Sequence, residues 1–192
     1  MQHIKKLINA AFVIINLPAL ALYFVLLPVS RKDSLFAGFS QAYSLMPGQV
    51  GNYLRRNFYR FTMAYCGKDV VISFGVLFSH AGVEIGSNVY IGPQSNIGLC
   101  KIEHNCLLGS GVHILSGKKQ HNFKDQNQPL RMQGGHYEKI TIANNVWIGN
   151  TAVVMANIGE RSVIAAGAVV VDAVNNHAIM AGNPASLVKQ IK

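Results

Sequence analysis

The chain has 192 residues, half of them hydrophobic, which excludes a disordered polymer and allows one substantial domain with a small appendage. Three cysteines, Cys66, Cys100 and Cys106, lack CxxC spacing and exclude a disulfide framework, so a reducing compartment fits and Cys106 reads as packing. The formal net charge of +9 is concentrated in residues 1–68, where eight Lys and Arg face one acid, Asp33; the nearly neutral remainder carries no nucleic-acid-binding motif, and no nucleic-acid partner is expected.

Residues 7–29 contain no charged side chain and are bracketed by Lys5 and Lys6 on one side and Arg31 and Lys32 on the other. A run of this length can cross a hydrocarbon core, which needs about 20 helical residues. A cleaved signal peptide and a buried core helix are the rival readings, but no small-x-small cleavage site follows cleanly and the basic border suits a membrane. Pro18 predicts a break in the helix, and Asn9 and Asn16 are polar interruptions, so a re-entrant hairpin is favoured over a single span. Basic residues at both ends place both ends on the cytoplasmic side.

From Asp33 onward two shorter helices are expected, separated at Met46, Pro47 and Gly48. The second interleaves Tyr53, Phe58, Phe61 and Tyr65 with Arg55, Arg56 and Arg60. Two readings stay open: a helix lying on an anionic lipid surface, or a cap on the open end of a repeat domain that starts near Val70.

Between residues 72 and 170 an aliphatic residue, once Phe78, opens one short repeat after another: Ile72, Phe78, Ile85, Ile91, Ile97, Ile102, Leu108 and Ile114, then Ile142, Ile148, Val154, Ile158, Ile164 and Val170. Most steps are six residues. A second register runs in phase with the first, through Val76, Val89, Ser95, Cys106, Val112, Val146, Ala152, Ser162, Ala168 and Val174. The residue after the aliphatic is usually tiny, as at Gly86, Gly92, Gly109 and Gly149. This pattern predicts a parallel β-helix in which three repeats make one coil, with the aliphatics stacked inside and small residues at the corners. The expected organisation is a membrane-associated helical region over 1–68 and a repeat domain over 69–192.

The rhythm stops after Ile114 and resumes at Ile140, leaving a polar loop over 116–139 that includes Lys118, His121, Asp125, Arg131 and His136. Such an interruption of a regular solenoid is a candidate functional loop. Of the seven histidines, His3 and His177 are weak candidates for chemistry, and His80, His104 and His113 read as surface or packing residues. No close pair of histidines suggests a metal, and none is expected. His121 is the better candidate for a general base, since a loop imidazole can take a proton from a hydroxyl near neutral pH.

Several stretches, in order, resemble the hexapeptide-repeat acyltransferases: Ile114-Leu-Ser-Gly, Gln120-His121-Asn122-Phe123, Pro129-Leu130-Arg131, Ile140-Thr-Ile, Val146-Trp147-Ile148-Gly149, Ala165-Ala166-Gly167 and Gly182-Asn183-Pro184-Ala185. The likeness covers about two thirds of the chain and is nearest the serine, maltose and xenobiotic acetyltransferases and their relatives in surface-polysaccharide pathways. It implies a left-handed β-helix, a homotrimer with sites between subunits, and acetyl transfer from acetyl-CoA with His121 as general base. It also implies a pantetheine groove at Gly149, Asn150, Ala166 and Gly167, with Trp147 shaping its wall and Lys189 near the nucleotide phosphate. Where the family usually has Thr-Lys, this chain has Val171 and Asp172, an acid that would repel phosphate.

The expectation is therefore an O-acetyltransferase at the cytoplasmic face of the inner membrane, acting on a sugar hydroxyl of a lipid-linked or nucleotide-linked glycan. The alternatives are a non-enzymatic scaffold at the membrane and a soluble small-molecule acetyltransferase.

Overall fold

The computed structural model describes residues 2–191, with side chains from residue 6 onward; His3 and Lys5 lie outside the described side chains. Three helices precede the repeat: α1 (Gln2–Leu26), α2 (Lys32–Ser44) and α3 (Gly48–Thr62). Pro47 ends the extended connection into α3, at the place where the sequence separates the two helices.

The repeat forms a parallel β-helix with three faces. Face A stacks the strands Tyr65–Cys66, Glu84–Ile85, Cys100–Ile102 and Ile140–Ile142. Face B begins at Val71–Ile72 and climbs through Tyr90–Ile91, Leu107–Leu108, Trp147–Ile148 and Val163–Ile164 to Ala178–Ala181. Face C stacks Leu77–Phe78, Asn96–Ile97, His113–Ile114, Val153–Val154 and Val169–Val170. Successive coils place aliphatic on aliphatic, as in Ile91 to Leu108 to Ile148 to Ile164.

Both sequence registers point inward. The opening aliphatics and the whole second register, from Val76 to Val174, are buried. Cys106 fits the packing role: its thiol lies 3.1 Å from the Ala143 carbonyl, and burial pushes it up to about 11. Cys66 and Cys100 are buried and raised to about 12 for the same reason. Thiols of that kind are almost wholly protonated at neutral pH and are poor nucleophiles.

The step from one aliphatic to the next is six residues at the A–B and B–C corners. All the variation falls at the third corner, C–A: Phe78 to Ile85, Ile97 to Ile102, Ile114 to Ile142, Val154 to Ile158 and Val170 to Val174. The long loop is the extreme case of a freedom confined to one edge of the prism.

A first coil has no neighbour below it, so its outward backbone groups need other partners. The helices supply them. Ser40 Oγ accepts from the Phe78 N–H at 2.9 Å, the Ser44 carbonyl accepts from Gly75, and Asp33 accepts from Ala81 at 2.9 Å while pairing with His80 at 3.1 Å. Arg55 is fully buried without an acidic partner among the described residues. Its guanidinium donates to the carbonyls of Ile72 (2.7 Å), Tyr43 (3.0 Å) and Met46 (2.6 Å) and to Asn52 Oδ1 (2.8 Å). A planar fork of donors can bridge helix ends to a coil edge in this way, and a single ammonium cannot. Of the two readings of α3, the cap is thus realised by Arg55, Phe58 and Tyr59.

The break expected at Pro18 does not occur, because α1 runs through it as one helix. Contacts hold the helix on both sides of the proline: Phe12 stacks on Tyr53 with ring centroids 5.1 Å apart, and Tyr23 meets Phe58 edge-on at 5.8 Å. Asn9 and Asn16 are also reassigned. Asn16 is buried, receives the Tyr43 hydroxyl and donates to the Leu54 carbonyl at 3.1 Å, while Asn9 Oδ1 accepts from Arg56. Asn9 and Asn16 thus face the protein.

At the other end the chain folds back as an antiparallel strand, Ser186–Gln190, on Ala178–Ala181. Its residues are exposed, and Lys189 sits among them; a lysine on an edge strand discourages pairing with another chain.

Replacing Arg55 by Ala strands the buried carbonyls of Ile72 and Tyr43, and urea unfolding is expected to show a loss of about 3 kcal/mol or more, with Arg55→Lys recovering less than half. A loss below about 1 kcal/mol would show that the cap does not hold the first coil.

Candidate active site

Four of the sequence-assigned residues come together at the B–C corner. Gly149 and Asn150 turn one coil, and Ala166 and Gly167 turn the next. The Gly149 N–H donates to the Ile164 carbonyl at 2.7 Å, and the Gly167 N–H donates to the Asn150 carbonyl at 2.8 Å. A Cβ at Gly149 would lie 2.4 Å from the Ala166 nitrogen, so only glycine allows the coils to close here. At Gly167 (φ +70°) a Cβ would meet nothing within 4 Å, so that corner opens to solvent. Asn150, Ala166 and Gly167 are not buried and Gly149 is, which makes Gly149 a packing residue that brings the other three into line. Asn150 Oδ1 also accepts from the Ser110 N–H of the coil below at 3.0 Å.

Thr151, beside Asn150, adopts φ +57°, which a β-branched residue rarely does. Its hydroxyl donates to the Asn150 carbonyl at 2.7 Å. The strain sits at the same exposed corner.

Trp147 lies outside this corner, half exposed on face B between Leu107 and Val163. Lys189 lies opposite Ile179, at the top of the same face.

His121 is elsewhere. The loop leaves the C–A corner as a two-sided arm, tied by Glu138 N–H to Ser116, His136 N–H to Lys119 and Asn122 N–H to Gly134. Ser116 fixes its base by accepting from the Leu99 N–H at 2.8 Å. Gln133 organises the tip, donating to the carbonyls of Asp125 (2.7 Å) and Gln128 (2.9 Å). His121 is exposed on one side of the arm. Within one chain the width of face C separates it from the Gly149–Gly167 corner.

Face C carries a cavity of about 340 Å³ between α2 and the arm, with Gln41 on one side, Gln120 on the other and Ser79, Asn96 and His113 among its lining residues. Asn96 Nδ2 lies 3.4 Å from His113 Nδ1. Sequence reasoning missed Asn96 and read His113 as surface or packing. A signal was present: both precede an inward isoleucine and so point outward, and they are polar where Leu77, Val153 and Val169 occupy the same column.

The other histidines have structural tasks. His104 Nδ1 accepts from the Ser87 N–H at 2.9 Å, His80 pairs with Asp33, and His177 (φ +59°) turns the last A–B corner. Asp172 does not present a lone negative charge, because Lys118 at the base of the arm lies 2.7 Å from it. Both groups are exposed, so the pair is a screened surface contact.

The fold has counterparts in known proteins. The chain is 30% identical over 141 residues to the galactoside O-acetyltransferase of Escherichia coli (strain K12), covering 67% of this chain and 64% of that one. It is 32% identical over 120 residues to a Saccharomyces cerevisiae protein named by inference as an acetyltransferase. Among solved structures, a galactoside acetyltransferase in complex with coenzyme A superposes with a TM-score of 0.69 at 26% identity, covering 84% of this chain and 82% of that one. A maltose O-acetyltransferase from Clostridium difficile 630 superposes with a TM-score of 0.71 over 84% of this chain and 87% of that one; at 22% identity it speaks to the fold. In sequence and in fold the chain is similar to the hexapeptide-repeat acetyltransferases. Its β-helix is the left-handed one of those relatives, as the resemblance implied. No protein-family profile matches the chain, and it spans about three fifths of the length of the curated relatives it matches.

The arm depends on one glycine. A Cβ at Gly135 would lie 1.8 Å from the Gln120 carbonyl oxygen, beside His121, so Gly135→Ala must part the two sides of the arm. Limited proteolysis of that variant is expected to cut within 120–134 about tenfold faster than wild type with little change in melting temperature. An unchanged cleavage rate would show that the arm is not held there.

Proposed function

We propose that the chain transfers an acetyl group from acetyl-CoA to a sugar hydroxyl, with His121 as general base. The observation that carries this reading is the arm bearing His121 beside a cavity into whose lining Gln41, Asn96, His113 and Gln120 bring polar groups, in a fold that relatives named as sugar O-acetyltransferases share.

His121 would accept the proton of the acceptor hydroxyl as its oxygen attacks the thioester carbonyl. The C–S bond then breaks, and the proton passes from the imidazolium to the departing thiolate. Charge builds on the carbonyl oxygen along the way, and a backbone N–H of the coil wall is the donor suited to it. Asn96, His113 and Gln41 are placed to orient the acceptor's other hydroxyls. The exposed B–C corner, with no side chain at Gly167, suits an extended pantetheine, and Lys189 suits a phosphate.

His121 and that corner belong to different edges of the prism. The reading therefore places each site between two copies, the arm of one facing the corner of the next, in a closed trimer. Tyr90, Leu107 and Trp147, exposed in one column of face B, supply an apolar surface for such a contact.

The acceptor is read as membrane-linked, in a surface-polysaccharide pathway at the cytoplasmic face of the inner membrane. The support is α1. Surface helices of soluble proteins turn apolar residues inward. Here Asn9 and Asn16 face inward, while Leu7, Ile14, Leu17, Leu22 and Val25 are exposed. Packing along α3 favours a helix lying in the interface over one that crosses it.

In an assay of CoA release with purified protein and a panel of sugar acceptors, His121→Ala should lower kcat/KM by about a hundredfold or more. Acetyl-CoA binding, read as a thermal shift, should survive. A variant with full activity would remove His121 from the mechanism, and wild type without a thermal shift would favour a scaffold.

A further inference from the structure

At the end of α1 where its outward apolar face begins, a cavity of about 470 Å³ opens between α1, α3 and the turn after Tyr65–Cys66. Lys6, Arg56, Arg60 and Lys68 line it, against a single carboxylate, Asp69. Among the described residues, none of these four cations takes part in an ion pair. Arg56 is held in place by Asn9 and by the Tyr53 ring, whose centroid lies 4.9 Å from its guanidinium carbon. Arg60 follows one helical turn later on the same side of α3.

Like charges gathered around one cavity repel unless an anion offsets them. The neighbouring feature indicates which anion. Lys6, on the cavity wall, is followed directly by Leu7, the first exposed apolar residue among the described side chains of α1. A cationic recess continuous with an apolar stripe matches a molecule with a phosphate head and a hydrocarbon tail.

We propose that this cavity binds the phosphate group of an anionic phospholipid while the outward face of α1 sits among the acyl chains. The proposal rests on the interfacial reading of α1 given above and adds a specific headgroup site to it. Bound there, the lipid fixes the tilt of the helical cap, and with it the end of face C where α2 borders the acceptor cavity.

The test is flotation of the full chain with vesicles of neutral phosphatidylcholine, and with vesicles in which about one third of the lipid is phosphatidylglycerol. Each Lys or Arg near an anionic surface strengthens binding about fivefold, so the double variant Arg60→Ala with Lys68→Ala should bind anionic vesicles about thirtyfold more weakly than wild type. Its binding to neutral vesicles should be unchanged, which also reports that it is folded, and Arg60→Lys should keep the anionic preference. Wild type that binds both vesicles equally, or a double variant that matches wild type, overturns the headgroup site and leaves the interfacial helix standing. Wild type that binds neither vesicle overturns both. Inorganic phosphate that stabilises wild type but not the double variant, with no vesicle preference, assigns the cavity to a soluble phosphate and overturns the lipid.

Discussion

Each coil of this β-helix satisfies its backbone through the coils above and below it. Below the last coil the strands are two or three residues long, too short to hold a sheet alone, and one coil buries nothing by itself. The end coils therefore carry the constraint on which the rest depends. Arg55, Ser40 and Asp33 meet it at the first coil, binding the helices to edge groups that would otherwise seek water or another chain. The same constraint accounts for a buried guanidinium without a counter-ion: its partners are carbonyls at a coil edge and a helix end, and these need donors rather than charge.

Two corners of the prism are locked by six-residue steps and by stacked left-handed residues such as Asn88, Asn105 and Asn145. Length can change only at the third corner. That corner accordingly holds the arm, with its reactive candidate, while the regular B–C corner holds the open backbone suited to an extended ligand. In a single chain so built, the two halves of the proposed site lie on different edges. The proposed trimer resolves that separation without any distortion of the coil.

The solenoid was legible because inward positions recur at a fixed step, and the arm was legible as a gap in that step. The aliphatic positions were buried as expected, and the second register proved to be buried as well. The sides of α1 were less legible. An apolar run weights every residue equally, whereas the helix sorts them by angle, turning Asn9 and Asn16 toward α3 and leaving leucines outside. Pro18 misled for a related reason: contacts on both sides of it hold the helix straight. Outward positions of the coil have no periodic constraint, so Asn96 and His113 did not stand out until face C was assembled. Gly149 was legible as part of the corner, but its burial was not, since that depends on how closely Ala166 approaches from the next coil.

The central claim is that the arm of one copy acts at the corner of another. It can be measured by mixing two inactive variants, His121→Ala and Ala166→Trp, under conditions that let subunits exchange, and tracking CoA release. Mixed assemblies contain some sites with both an intact arm and an intact corner, so the account predicts that activity returns on mixing. If each chain's own arm served its own corner, no mixed assembly would have an intact site, and persistent inactivity of the exchanged mixture would contradict the account.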